Sequence, residues 1–131
     1  MRFEDLHCWQ TARTLTKALY ELTNQGLFAR DFGLRDQIRR AAVSVMSNIV
    51  EGYESRTRNL FLEFLGRAKG SAGEVRCQLY IARDVEYLTP AQFDELYDQS
   101  DKVIRQISNL MHRLQNQTDD LRIHDDPGLY L

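Results

Sequence analysis

The chain has 131 residues, 43% of them hydrophobic, and a formal net charge of −2 at pH 7. That size fits one domain with a core of its own, and the charge excludes a global attraction to nucleic acid. There is no run of about 18 apolar residues, which excludes a membrane-spanning helix, and Cys8 and Cys77 stand apart with no CxxC unit, which argues against a disulfide framework.

The isolated cysteines fit a reducing compartment. The opening Met1-Arg-Phe-Glu-Asp5 carries no apolar signal core, so a soluble cytoplasmic protein is expected. Charge is unevenly spread: residues 1–88 carry a net +2 and residues 89–131 a net −4. Of the 17 basic residues, 14 are Arg, the residue suited to paired, hydrogen-bonded or stacked contacts.

The first helix is predicted from Asp5, a reasonable cap, to about Asn24. Its apolar face is Leu6, Trp9, Ala12, Leu15, Leu19 and Leu22, and Asn24-Gln-Gly26 ends it. Leu27 to Phe32 reads as a short connection. The second helix runs from about Gly33 to Val50, with Gly52 as its stop. Leu34, Ile38, Ala41, Val45 and Ile49 form its apolar stripe. Beside it runs a polar stripe of Gln37, Arg40, Ser44, Ser47 with Asn48, and Glu51. A solvated helix face usually carries Lys and Glu; hydroxyls and amides suit enclosed hydrogen bonding better.

Tyr53 to Thr57 is a polar turn. The third helix runs from about Arg58 to Glu86, with Phe61, Phe64, Leu65, Ala68, Ala72, Val75, Leu79 and Ala82 as its apolar stripe. Gly66, Gly70 and Gly73 each cost it roughly 1 kcal/mol in helix propensity. Close approach of a neighbouring backbone is the expected compensation. The fourth helix has the clearest start signal, the capping box Thr89-Pro-Ala-Gln92 with a Leu88–Phe93 staple. Phe93, Leu96, Ser100, Val103, Ile107, Leu110 and Leu114 form a heptad seam. Tyr97, Ile104 and Met111 add a second apolar row, read either as a wide core face or as a subunit interface. Four amphipathic helices without any β pattern predict an all-α fold, an up-down-up-down antiparallel four-helix bundle over residues 1–116. Residues 117–131 form an acidic C-terminal tail, expected to be flexible or to dock through Leu129, Tyr130 and Leu131.

The polar stripe meets Ser71, Glu74 and Gln78 of the third helix if the two helices pack antiparallel. Thr57 lies midway between Arg40 and Glu74, which would put those side chains at one height. The preferred reading of Gln37, Arg40, Ser44, Asn48, Glu51, Ser71, Glu74 and Gln78 is a buried hydrogen-bond network that fixes register. A ligand or partner surface comes second, and an active site built on Arg40, Glu51 and Glu74 third. No catalytic residue, cofactor or metal is expected. Only Glu4-Asp-Leu-His7 matches a di-iron helix unit, and no phosphate-cradling glycine loop follows a strand. Cys77 is expected in the core. Arg35, Arg39, Arg56, Arg58, Arg67 and Lys69 are candidate nucleic-acid contacts, but they are interleaved with acids and gain force only if an oligomer concentrates them.

Three stretches carry a resemblance. They are Phe3-Glu-Asp-Leu-His-Cys-Trp-Gln-Thr-Ala12, Gly33-Leu-Arg-Asp-Gln-Ile-Arg-Arg-Ala-Ala-Val-Ser-Val-Met-Ser-Asn-Ile-Val-Glu-Gly52, and Ala68-Lys-Gly-Ser-Ala-Gly-Glu74 running on to Gln78-Leu79. With the Tyr87-Leu88 turn they resemble the bacterial ribosomal RNA intervening-sequence proteins. The chain departs from that pattern at Met46, where Pro is common, and at Ala72 and Gly73, where larger residues are common. The resemblance implies a bundle that assembles into a ring, commonly a homopentamer. The chain is also similar to accessory proteins of diversity-generating retroelements, which use such rings to engage a reverse transcriptase and nucleic acid; those relatives are basic and this chain is acidic. A non-enzymatic, ring-forming interaction or scaffold protein is therefore expected, with an RNA or protein partner and no membrane. The alternative is an RNA- or DNA-binding accessory protein.

Overall fold

The computed structural model describes residues 1–117, so the expected acidic tail lies outside the described residues apart from Gln117. After a 3-10 turn at Phe3–Asp5 come α1 (His7–Leu22), α2 (Gly26–Arg30), α3 (Phe32–Tyr53), α4 (Arg58–Asp84) and α5 (Pro90–Gln115). The four long helices alternate in direction. α3 packs most extensively on α4, α4 on α5, and α1 on both α3 and α5, so the core sits inside a closed square of helices. The expected all-α bundle is the fold observed, with α2 as an additional short helix where a plain connection was predicted.

Each long helix turns its apolar stripe inward. Leu15 and Leu19 of α1, Ile38, Val45 and Ile49 of α3, and Leu65, Val75 and Leu79 of α4 are buried at 1% exposure or less. All seven members of the α5 seam, from Phe93 to Leu114, are buried. Ser100, its polar member, donates to the Tyr97 carbonyl at 2.9 Å and so causes no deficit. Tyr97, Ile104 and Met111 pack against the same core, which makes them part of a wide core face. Cys8 is buried and the loss of water pushes its thiol up to about 12, so it stays neutral and inert. Cys77, expected in the core, is exposed. The inward positions of α4 are Phe61, Leu65, Ala68, Ala72, Val75, Leu79 and Ala82, and Cys77 falls outside that stripe.

The helix ends explain several boundaries. Thr57 and Thr89 accept from Leu60 N and Gln92 N, each at 3.1 Å, and Gln92 returns the bond to Thr89 N in a full capping box. Asp31 caps α3 through Leu34 N at 3.1 Å. Asp5 does not cap α1. Its carboxylate accepts from Arg2 N at 3.0 Å inside the 3-10 turn, and Leu6 takes the N-cap position with no side-chain bond. Gly52 is no stop either: α3 continues to Tyr53. A Cβ at Gly52 would lie 2.9 Å from Phe61 Cδ1 and 3.0 Å from Phe64 Cβ, so the missing side chain lets the end of α3 close on the start of α4.

α4 ends in a Schellman turn, with Tyr87 N on Ala82 O at 2.8 Å and Glu86 N on Arg83 O at 3.0 Å. Glu86 occupies the left-handed position of that turn, at φ 64°, where glycine is favoured. Tyr87 then donates to Asp31 Oδ2 at 2.9 Å. That hydrogen bond, with burial and the nearby charge behind it, raises the phenol above its ordinary range. The contribution is complete below the unfolded phenol's range and is lost as pH rises through the folded one, so neutral conditions leave it intact. Thermal unfolding should separate two substitutions. Glu86→Gly relieves the left-handed residue and should raise stability by about 0.5–1 kcal/mol. Gly52→Ala should lower it by about 1–3 kcal/mol through overpacking against Phe61 and Phe64.

Candidate functional site on the α3–α4 face

The polar stripe of α3 and its counterpart on α4 do come together. Gln37, Arg40, Ser44, Ser71, Glu74 and Gln78 line one open groove of about 300 Å³ along the α3–α4 seam. Asn48 and Glu51 continue it into a wider hollow of about 900 Å³ that also takes in Asp36, Arg39, Val43, Ser47 and Tyr20. At the centre, Ser44 Oγ and Ser71 Oγ share a hydrogen bond of 2.9 Å. Asn48 Nδ2 donates to Ser44 O at 2.9 Å and to Ser44 Oγ at 3.0 Å. Two small hydroxyl side chains facing each other are what allow the α3 and α4 backbones to run this close.

The enclosed part of the network within one chain is confined to Ser44, Asn48 and Ser71, which are half-buried. Gln37, Arg40, Glu51 and Glu74 are exposed. Arg40 and Glu74 border the same groove, yet they form no ion pair within 4.0 Å among the described residues. The physical reason is geometric. The apolar stripes of α3 and α4 fill the interior, so the adjoining stripes fall at the outer edge of the contact. Gln78 Oε1 is sealed from solvent without a hydrogen-bond partner among the described residues, a deficit that enclosed polar groups normally avoid.

The candidate nucleic-acid contacts are scattered, and most are already engaged. Arg35 donates to Asp36 Oδ1 and to the Ala29 carbonyl, each at 3.0 Å. Arg39 donates to Thr23 Oγ1 at 2.8 Å. Arg67 pairs with Glu63 at 2.8 Å, and Arg58 donates to the Gln117 carbonyl. Arg56 and Lys69 are exposed. Several arginines also lie over aromatic rings: Arg13 on Trp9, Arg35 on Phe32, Arg39 on Tyr20, Arg67 on Phe64, and Arg83 on both Tyr80 and Phe93. The Arg-rich composition thus serves stacking on half-open rings. An aromatic residue three or four positions before Arg marks most of these pairs, a signal that periodicity of apolar residues alone does not register.

A second feature of the face is its bareness. A Cβ added at Gly66, Gly70 or Gly73 would meet nothing within 4 Å. Gly66 and Gly70 are exposed, as is Cys77 further along the same helix. The close backbone approach expected at these glycines is therefore absent among the described residues. Spacings of three and four place Gly66, Gly70, Gly73 and Cys77 on one outward ridge. Val43, Ile81 and Val85 add exposed apolar area at 41%, 46% and 49%. Among the described residues no group of His, Cys, Asp and Glu could hold a metal ion, and no helix is long and apolar enough to cross a membrane.

The family model for the 23S rRNA-intervening sequence protein matches residues 4–109. The chain belongs to that family. The match runs from the 3-10 turn into the second half of α5, and so includes every residue of the α3–α4 face. Among solved structures, the chain is similar to a protein with unknown function from the S23 ribosomal protein family of Bacteroides thetaiotaomicron. That likeness has a TM-score of 0.74 at 19% identity and covers 80% of this chain and 95% of the other. It shows the same fold. The chain has no match among the curated proteins.

Because Arg40 is exposed and has no charged partner within the described chain, Arg40→Leu should change the unfolding free energy of the isolated chain by less than about 0.5 kcal/mol. A denaturant titration at high dilution checks this; a loss of 3 kcal/mol or so would mark a buried ion pair instead.

Proposed function

We propose that this family member is a non-enzymatic interaction protein that works as an assembly of its own copies, a ring for which five subunits is the favoured number, with the α3–α4 face as its seam. The single observation that carries the reading is the outward ridge of α4. Three glycines inside one helix cost it roughly 3 kcal/mol in all relative to alanine. No contact among the described residues explains them, since each would accept a Cβ into open space there. A backbone from a neighbouring copy laid against the ridge would use that absence of side chains. The groove beside it supports the same reading. With the adjoining hollow it presents charges of both signs, Arg39 and Arg40 beside Asp36, Glu51 and Glu74, together with hydroxyls and amides that already form the core of a hydrogen-bond network. A surface of mixed sign suits a protein neighbour better than a polyanion.

The runner-up, direct RNA or DNA binding, rests on Arg56 and Lys69, exposed cations that an assembly would repeat around its circumference. Affinity for structured RNA across a salt series decides it, because phosphate contacts are strongest at low salt. Absence of binding there removes it.

Light scattering with in-line chromatography tests the main reading. The natural chain should have the mass of several copies at micromolar concentration. Gly70→Leu, whose Cβ would meet nothing within 4 Å among the described residues, should keep the helical content and melting behaviour of a folded bundle while shifting the mass towards one copy. Gly70→Ala should stabilise the isolated chain by up to about 1 kcal/mol and still weaken assembly. A natural chain that stays monomeric, or a Gly70→Leu variant with unchanged mass, overturns the proposal.

A further inference from the structure

The segment between α1 and α3 is fastened differently from the rest of the molecule. α2 has five residues, too few to hold itself as a helix, and its main packing partner is α3. Both of its ends break helical geometry. Gly26 sits at φ 59°, and Asp31 has ψ 80°. Only Phe28 of α2 is buried, at 1% exposure, and its ring lies 5.2 Å from that of Tyr87 in the α4–α5 turn. Tyr87 in turn donates to Asp31 Oδ2 at 2.9 Å, while Asp31 Oδ1 caps α3. Arg35 holds the Ala29 carbonyl at 3.0 Å. The segment is thus a short strap between two backbone breaks, held by one buried ring, one arginine contact and one tyrosine–carboxylate latch.

We propose that α2 is a latched strap that opens locally about Gly26 and Asp31 while the four long helices stay folded. Its fastenings are few beside the continuous seams of the bundle, which is the condition for sub-global opening. The latch spans the molecule in sequence, so the α4–α5 turn governs the α1–α3 connection. Glu86, the left-handed residue just before Tyr87, sets the direction in which the latch is presented. Flanking Phe28 in sequence, Leu27 and Phe32 are already 65% and 63% exposed. Opening adds the Phe28 ring to them, and so turns two isolated apolar side chains into a patch at one end of the bundle. The strap is a device that hides or presents that patch.

Native-state amide exchange of the full chain, read residue by residue, tests the proposal. The amides of Ala29 and Asp31, which bond to Gln25 O and to Leu27 O and Phe28 O, should exchange at least about 100-fold faster than that of the α4 core residue Leu79. Tyr87→Phe removes the latch oxygen and keeps the ring. It should speed Ala29 and Asp31 about tenfold, the weight of a hydrogen bond to a charged acceptor, and leave Leu79 unchanged. Phe28→Leu should act on the same two amides through the lost ring contact. Exchange of Ala29 and Asp31 at the Leu79 rate, or acceleration of all three amides alike in Tyr87→Phe, overturns the strap.

Discussion

The rest of the structure depends on how closely α3 lies on α4. Two serines meet across the seam at 2.9 Å, alanines fill the positions beside them, and Gly52 lets the ends of the two helices converge on Phe61 and Phe64. Side chains this small are poor at burying area, so the seam contributes through proximity and hydrogen bonding rather than through bulk. The bulk sits elsewhere, in the leucines, isoleucines and phenylalanines that the four stripes direct inward. Drawing α3 and α4 together also decides what is left outside. Their polar stripes are carried to the rim of the contact, where Arg40, Glu51 and Glu74 face solvent without partners of opposite charge in the described chain.

Much of this fold was legible in the residues. The α5 seam and its capping box were readable because spacing, cap and proline agree on one answer. The meeting of the two polar stripes, with Arg40 and Glu74 bordering one groove, followed from antiparallel packing and equal rise on either side of the turn at Thr57, whereas the Ser44–Ser71 pairing came only from the structure. What escaped was of two kinds. α2 was read as a connection because a five-residue helix has no periodicity to detect and is held by tertiary contacts to Phe28. Gly52 was read as a stop because a glycine after an apolar stripe usually is one, whereas here it is needed for packing. Burial was the other difficulty. A stripe of serines, amides and one arginine has the chemistry of an enclosed network, but composition does not say whether one chain or several do the enclosing.

That question connects the two unexplained features of the α3–α4 face. Unpaired charges in a groove are cheap in water, and exposed glycines in a helix are tolerable when the bundle around them is well packed. Together on one face they are the features on which the proposed assembly rests. Among the described residues, nothing packs on the bare ridge of α4. The strap at α2 lies at an end of the bundle rather than along this face, so the proposed opening and the proposed seam are independent of each other.

Cys77 reports on that face directly, since its thiol is exposed on the ridge while Cys8 is buried and held neutral. The rate of Cys77 modification by a neutral thiol reagent, followed across a dilution series of the full chain, is the most direct measurement. If the α3–α4 face is the seam, Cys77 reacts slowly at high protein concentration and speeds up as the protein is diluted, with Cys8 unreactive throughout. A Cys77 rate that is fast and independent of concentration, in samples whose mass shows them to be assembled, would place the seam elsewhere and contradict this account.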